Sequence, residues 1–270
     1  MKQRRRVMIT GAASGIGEAL ARRYAQQGAE LALVDTNLEG LERLERELGS
    51  GRAFARRLDV SDRADVALAV SEIDERLGAV DTLVNAAGIG IYAKVEDTPI
   101  DRWERILAVN LFGTLYTTLT VLPQMLRRRS GQIVNIASMQ GVLAVPFAVP
   151  YCTSKFGVVA FTRGLRAEVR HQGVDVLLVN PGVVRTAFAR HATAGTVRIF
   201  GRDVPITESF LERVMSSGFG VDAAEVADSI LDASGRRSAE VTIGLDAKVL
   251  TRIAGVFPRS AQRILEVLVG

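Results

Sequence analysis

The sequence predicts an α/β fold: a doubly wound parallel sheet of about seven strands, flanked on both faces by helices, in a single domain. Two observations carry this. Short apolar runs alternate with amphipathic helical patterns through 270 residues, as expected of strands buried on both faces by crossover helices. No Pro/Ser-rich linker, charge block or internal repeat divides the chain, so its length goes into one core.

Taken in order, the apolar run at 7–10 reads as the first strand, and a glycine-rich turn leads into a helix over 16–27. Strands at 31–34 and 53–58 flank a helix at 38–48, whose leucines and paired charges suit a helix with one solvated face. A helix at 63–77 leads to a strand at 82–85. A long helix at 101–128 precedes a strand at 132–137, and a helix at 151–172 precedes one at 174–179. The pattern closes with a helix at 223–233 and a strand at 241–243. Residues 1–245 are read as the catalytic and nucleotide-binding domain, and 246–270 as a C-terminal extension. Ligands of such sheets bind beyond the carboxyl ends of the strands.

Composition narrows the function classes. Hydrophobic residues make up 48% of the chain with seven prolines, which fits a packed protein rather than a disordered one. Wholly apolar stretches are much shorter than a membrane span, and residues 2–6 lead directly into a strand rather than a signal-peptide apolar region. A cytoplasmic protein is expected. The net charge is +4, but the arginines are scattered among acidic residues on helices, as in 41–48, and no nucleic-acid module accompanies them. No nucleic-acid partner is expected. Cys152 is the single cysteine, and His171 and His191 are the only histidines, so no metal site is predicted. Cys152 reads as a packed thiol ahead of a redox group. His191 suits a pocket wall or the surface equally.

Chemistry concentrates in a few segments. Tyr151 and Lys155 are four residues apart, and Ser138 lies thirteen residues before Tyr151. On a helix the pair shares one face, placing an ammonium beside a phenol. A neighbouring cation lowers a phenol pKa, which would equip Tyr151 as a general acid/base. Where the first strand meets the first helix, Thr10-Gly11-x-x-x-Gly15-x-Gly17 allows a tight turn and close approach of a pyrophosphate to the helix N-terminus; Ser14 and Ile16 belong to the same loop. Asp35 ends the second strand, where a carboxylate can accept hydrogen bonds from ribose hydroxyls and would repel a 2′-phosphate. NAD is therefore expected in preference to NADP. Plainer roles exist for several of these residues: helix packing for the glycines, a strand-end cap for Asp35, a turn cap for Ser138, a helix kink for Asn110.

Together with Asp59-Val60, Asn85-Ala86-Ala87-Gly88, Asn110 and Pro181-Gly182-x-Val184-x-Thr186, this order of motifs resembles the short-chain dehydrogenase/reductase family of the single-domain, Rossmann-like type. The resemblance implies that Asp59 and Val60 bracket the adenine and that the turn from Asn85 through Ala86 to Gly88 steadies the central strand beside the cofactor. It implies that Ser138 polarises the substrate oxygen, Tyr151 exchanges the proton, and Lys155 binds the nicotinamide ribose. Asn110 would hold a water linking Lys155 to solvent, while Pro181, Gly182, Val184 and Thr186 would shape the nicotinamide pocket. Hydride would pass to or from C4 of nicotinamide, and a homodimer or homotetramer would form through the helices at 101–128 and 151–172.

Beyond Thr186 the chain is apolar, with Phe188, Ile199, Phe200, Phe210, Leu211, Met215 and Phe219. A lid over about 187–220, facing Val142, Phe147 and Val149, predicts a hydrophobic secondary alcohol or ketone of steroid, retinoid, terpenoid or long-chain type. A non-catalytic dinucleotide sensor or regulatory subunit is the rival reading. The extension is expected to form two short amphipathic helices. These suit a subunit interface or a cover for the substrate entrance, ahead of peripheral contact with anionic lipid.

Overall fold

The computed structural model describes residues 4–49, 51–186, 193–194, 196–199, 202–205 and 220–269. Most of the expected lid, including His191, Phe188, Phe200, Phe210, Leu211, Met215 and Phe219, lies outside the described residues.

The main sheet has seven parallel strands: β1 (Arg6–Thr10), β2 (Glu30–Asp35), β3 (Ala53–Arg57), β4 (Thr82–Asn85), β5 (Gly131–Ile136), β6 (Val174–Pro181) and β7 (Glu240–Ile243), in the order β7-β6-β5-β4-β1-β2-β3. From β1 the chain winds outward to β3, then returns to place β4 on the other side of β1. That reversal opens a crevice at the carboxyl ends of β1 and β4.

Successive side chains of each strand enter opposite cores, as the pleat requires. Val7, Ile9, Leu31 and Leu33 pack with Leu20 and Tyr24 of α1 (Gly15–Gln26), Leu41 and Leu44 of α2 (Leu38–Leu48), and Ile230 of the later helix Ala223–Gly235. Met8, Ala32 and Val34 pack on the other face with Val66 and Ile73 of α3 (Arg63–Leu77) and with Val121, Met125 and Leu165. Loop side chains start two of these helices: the Asn37 carboxamide oxygen accepts from Gly40 N, and an Asp62 carboxylate oxygen accepts from Ala64 N and Asp65 N.

The long helix differs from the expectation. It consists of α4 (Ile100–Leu107), a π-helical turn at Ala108–Phe112 and α5 (Gly113–Arg127). By length and composition Ile100–Arg127 could cross a bilayer, but Val121 and Met125 are core residues beneath the sheet. Next, α6 (Val149–Val169) begins a half-turn before Tyr151. After β6 come α7 (Ala223–Gly235), α8 (Leu245–Val256) and α9 (Pro258–Val269), the last two forming the expected tail pair. Among the described residues, three small two-stranded pairings have no counterpart in the sequence pattern: Ile91–Tyr92 with Thr193–Ala194, Val184–Arg185 with Val221–Asp222, and the hairpin Thr196–Ile199 with Arg202–Pro205.

Side chains also register the central elements. Thr117 Oγ1 of α5 donates to Asn85 Oδ1 of β4 at 2.7 Å, and Asn85 Nδ2 donates to Thr118 Oγ1 and to Asn135 Oδ1 of β5, both at 2.9 Å. Asn135 Nδ2 then donates to Thr162 Oγ1 of α6 at 3.0 Å. Every member is buried. Asn135→Ala leaves partners in both directions unsatisfied and is expected to cost about 1–3 kcal/mol, read as a lower urea midpoint at unchanged m-value.

Candidate active site

A cleft of about 460 Å3 follows the crevice and is lined by Gly11, Ser14, Gly15, Ile16, Gly17, Asp35, Asp59, Val60, Ala86, Gly88, Ser138, Tyr151, Lys155, Pro181, Gly182, Val184 and Thr186. Seventeen residues singled out in the sequence thus meet on one surface. Asn85 and Asn110 do not reach it. Both stand behind the wall because their side chains are consumed by buried hydrogen bonds.

At one end the β1–α1 turn forms a backbone cradle. Gly11 has φ +67°, and a Cβ there would press on Ala87 Cα at 2.8 Å; a Cβ on Gly17 would strike the Gly11 carbonyl. The approach of these chains therefore demands glycine at both positions. Thr10 Oγ1 ties the cradle to the next turn by accepting from Ala86 N and Ala87 N at 3.1 and 3.2 Å. Ser14 is the α1 N-cap residue but makes no side-chain cap bond, so the first backbone N–H groups of α1 are open to an anionic ligand. This cradle fits a dinucleotide pyrophosphate.

Asp35 sits farther along, one oxygen accepting from Ala13 N at 3.1 Å and the other from Asn37 N at 2.9 Å. Its strand-end capping and its place in the cleft are both real. Asp59 accepts from Ser61 and from Arg105 Nη2 at 2.8 Å. Burial raises its pKa, but the Ser61 and Arg105 hydrogen bonds outweigh that and hold it below the usual carboxylate range. Arg105 lines the cleft and escaped the sequence reading, because only tertiary packing brings α4 against the segment after β3.

At the other end lies the catalytic group. The Ser138 hydroxyl hydrogen-bonds the Tyr151 phenol and also accepts from Gln140 N at 3.1 Å, so the residue both caps a turn and faces the site. Lys155 Nζ lies 5.7 Å from the Tyr151 ring centroid and donates to the Ile136 carbonyl at 2.8 Å. Asn110 sits in the π turn, where its amide bonds Ile89 N and Ile89 O at 2.8 and 2.9 Å and donates to Ser154 Oγ at 3.0 Å. The kink and the functional position coincide, as π turns often arrange. With its side chain committed to Ile89 and Ser154, Asn110 fixes the turn after Gly88 against α6.

The electrostatics correct one expectation. Within the polypeptide the Tyr151 pKa is raised, not lowered: burial dominates, the neighbouring Tyr92 adds to it, and the Ser138 hydrogen bond only partly opposes it. Burial also pushes Lys155 down to about 8, which weakens the cation meant to assist the phenol. Tyr92 itself is raised by burial and by the nearby Cys152 thiol. That thiol is buried, 3.3 Å from Val145 N, as a packed group. The substrate side is formed by Ile89, Tyr92, Met139, Gln140 and Val183. Val142, Phe147 and Val149, expected there, are half-buried outside the cleft lining. Phe147 instead adopts φ +64° and accepts from Ala93 N at 2.8 Å, joining two loops.

The sequence model described as "short chain dehydrogenase" matches residues 5–196. The chain belongs to the short-chain dehydrogenase/reductase family. It is 42% identical over 190 residues to D-threitol dehydrogenase of Mycolicibacterium smegmatis, covering 70% of this chain and 73% of the relative. It is 34% identical over 243 residues to dehydrogenase/reductase SDR family member 7B of Mus musculus, covering 88% and 72%. A short-chain dehydrogenase/reductase from Burkholderia phymatum, solved in complex with NAD, superposes with a TM-score of 0.83 at 26% identity over 95% of each chain. The protein is accordingly an oxidoreductase acting on alcohol CH–OH groups; the sensor reading is set aside.

Lys155 lends itself to a direct test. Its folded pKa lies below the ordinary lysine value, so the folded chain carries fewer protons between about pH 8 and 10.5. The buried ammonium therefore costs stability below pH 8, by up to about 3 kcal/mol, and the cost fades as pH rises towards 10.5. Lys155→Met is expected to abolish turnover yet raise the melting temperature at pH 7, with the gain shrinking at alkaline pH. A variant less stable at pH 7 would refute the assignment.

Proposed function

We propose that this enzyme interconverts a hydrophobic secondary alcohol and its ketone, with NAD as the cofactor. The observation that carries the reaction is the Ser138–Tyr151 hydrogen bond beside Lys155 at the end of a dinucleotide-sized cleft. Nicotinamide dinucleotide, when bound, supplies the ring carbon that takes or gives hydride. Ser138 orients the substrate oxygen, Tyr151 takes the hydroxyl proton in oxidation or returns it in reduction, and Lys155 steadies the phenolate form. Because burial raises the Tyr151 pKa, the ionised phenol depends on charge assembled in the loaded cleft.

Two observations support NAD. The Asp35 carboxylate faces the cleft between Val34 and Thr36, where a 2′-phosphate would meet like charge. Of the nearby cations, Arg105 lines the cleft but is paired with Asp59, and Arg57, which donates to the Thr36 carbonyl at 3.3 Å, lies outside the lining. Ile89, Met139 and Val183 support an apolar substrate. We also propose a homo-oligomer built on Phe112, Leu119 and Phe156, which the π turn, α5 and α6 leave exposed. Leu119→Arg with Phe156→Arg would then reduce the mass seen by light scattering.

Reduction of NAD should be followed with steroids, retinol, terpenoid alcohols, long-chain alcohols and D-threitol. Turnover with an apolar alcohol is expected, at least about 100-fold lower in Tyr151→Phe, with NADP slower than NAD and the difference narrowed in Asp35→Ser. Comparable use of both cofactors would overturn the NAD preference. Faster turnover of D-threitol than of every apolar alcohol would overturn the substrate class.

A further inference from the structure

The tail helices α8 and α9 have two unlike faces. On the inner face Ala254 and Ala261 are buried against Leu143, with Leu265 beside them. Leu143 lies on the loop between Ser138 and Tyr151, so the tail rests on the segment that joins two catalytic residues. Asp246 anchors the start of α8 by accepting from Val183 N at 2.9 Å.

The outer face has no such cover. At about 100° per residue, the buried Ala247 and Ala254 mark the inward direction of α8, and Leu245, Val249 and Val256 centre on the opposite side with Ile253 and Phe257 next to them. Leu245, Val256 and Phe257 are 78%, 69% and 61% exposed, too exposed to be the rim of a core. Large apolar side chains scattered singly need no explanation, but a contiguous group does. Lys248 and Arg252 stand among them and Arg259 and Arg263 follow, all exposed and none in an ion pair among the described residues. The acidic side chains described on the same two helices are Asp246, already held by Val183 N, and Glu266.

We propose that this face docks on an anionic lipid bilayer, its apolar side chains entering the acyl boundary and its four cations meeting the headgroup phosphates. Charge decides the occupant. Two-fold pairing with a second copy sets the same patch against itself, bringing Lys248 and Arg252 near their equivalents with little carboxylate to answer them. An anionic surface answers all four. Because the inner side of the pair rests on the Ser138–Tyr151 loop, docking brings the substrate end of the cleft close to the bilayer. That consequence matters for an apolar substrate and rests on the reading above; the docking itself does not.

Flotation of the full chain with vesicles tests it. The protein should float with phosphatidylserine-containing vesicles, remain behind with pure phosphatidylcholine, and lose binding as salt rises. Lys248→Glu with Arg252→Glu, and separately Leu245→Ser with Val256→Ser and Phe257→Ser, should each weaken flotation at least about tenfold. Circular dichroism melting would show that these exposed changes leave the fold intact. Failure of the unaltered chain to float with anionic vesicles would overturn the proposal, as would variants that float equally well. Variants that fall to a smaller oligomer by light scattering while the unaltered chain ignores vesicles would assign the face to a second copy instead.

Discussion

The buried chain of hydrogen bonds from Thr117 through Asn85 and Asn135 to Thr162 is the constraint on which the site depends. It crosses two central strands and ends on α5, which follows the Asn110 turn, and on α6, which carries Tyr151 and Lys155. Apolar packing alone tolerates sliding of a helix on a sheet, since many registers bury similar area. A buried amide does not, because each displaced partner leaves a polar group without water or protein to satisfy it. The position of α6, and with it of Tyr151 and Lys155, is thereby fixed against the strand that leads into Ser138.

The catalytic group itself works against stability. The ammonium is buried and the phenol partly so, one pushed down towards neutrality and the other held protonated. Such a pairing is tolerated because the surrounding sheet supplies two well-filled cores, and sites of chemistry are where strain of this kind collects. The Asn110 turn follows the same logic. A π-helical step interrupts the helical ladder, and in return an amide locks the backbone of Ile89 and reaches Ser154 beside Tyr151.

Geometry also joins the functions of distant parts of the chain. The glycine cradle after β1, the Asp35 corner of β2 and Ser138 after β5 come from three different strand ends, and Tyr151 and Lys155 from α6, yet they form one continuous surface because the winding reverses between β3 and β4. The C-terminal pair packs on Leu143 and is anchored through Asp246 to the segment after β6. The tail therefore braces two segments next to the cleft, although none of its described residues lines it.

The amino-acid order by itself determined the seven strands, the flanking helices, the glycine loop, Asp35 and the Ser138–Tyr151–Lys155 group, and through the family resemblance the rest of the seventeen residues of the cleft. Periodicity fixes which face of an element is buried, and glycine or a strand-end carboxylate at a given point of a strand-turn-helix unit has few other uses. Only the tertiary structure decided the rest. Nothing local marks the π turn, since Asn110 reads as an ordinary helical residue until Ile89 and Ser154 are placed around it. Arg105, Tyr92 and Gln140 enter the cleft from positions that carry no motif of their own, while Val142, Phe147 and Val149 lie outside its lining, Phe147 on a loop held by Ala93. The sign of the Tyr151 shift is the clearest case. Sequence spacing announces a cation one turn away, but whether that charge or the loss of water wins is set by how deeply the fold buries both groups.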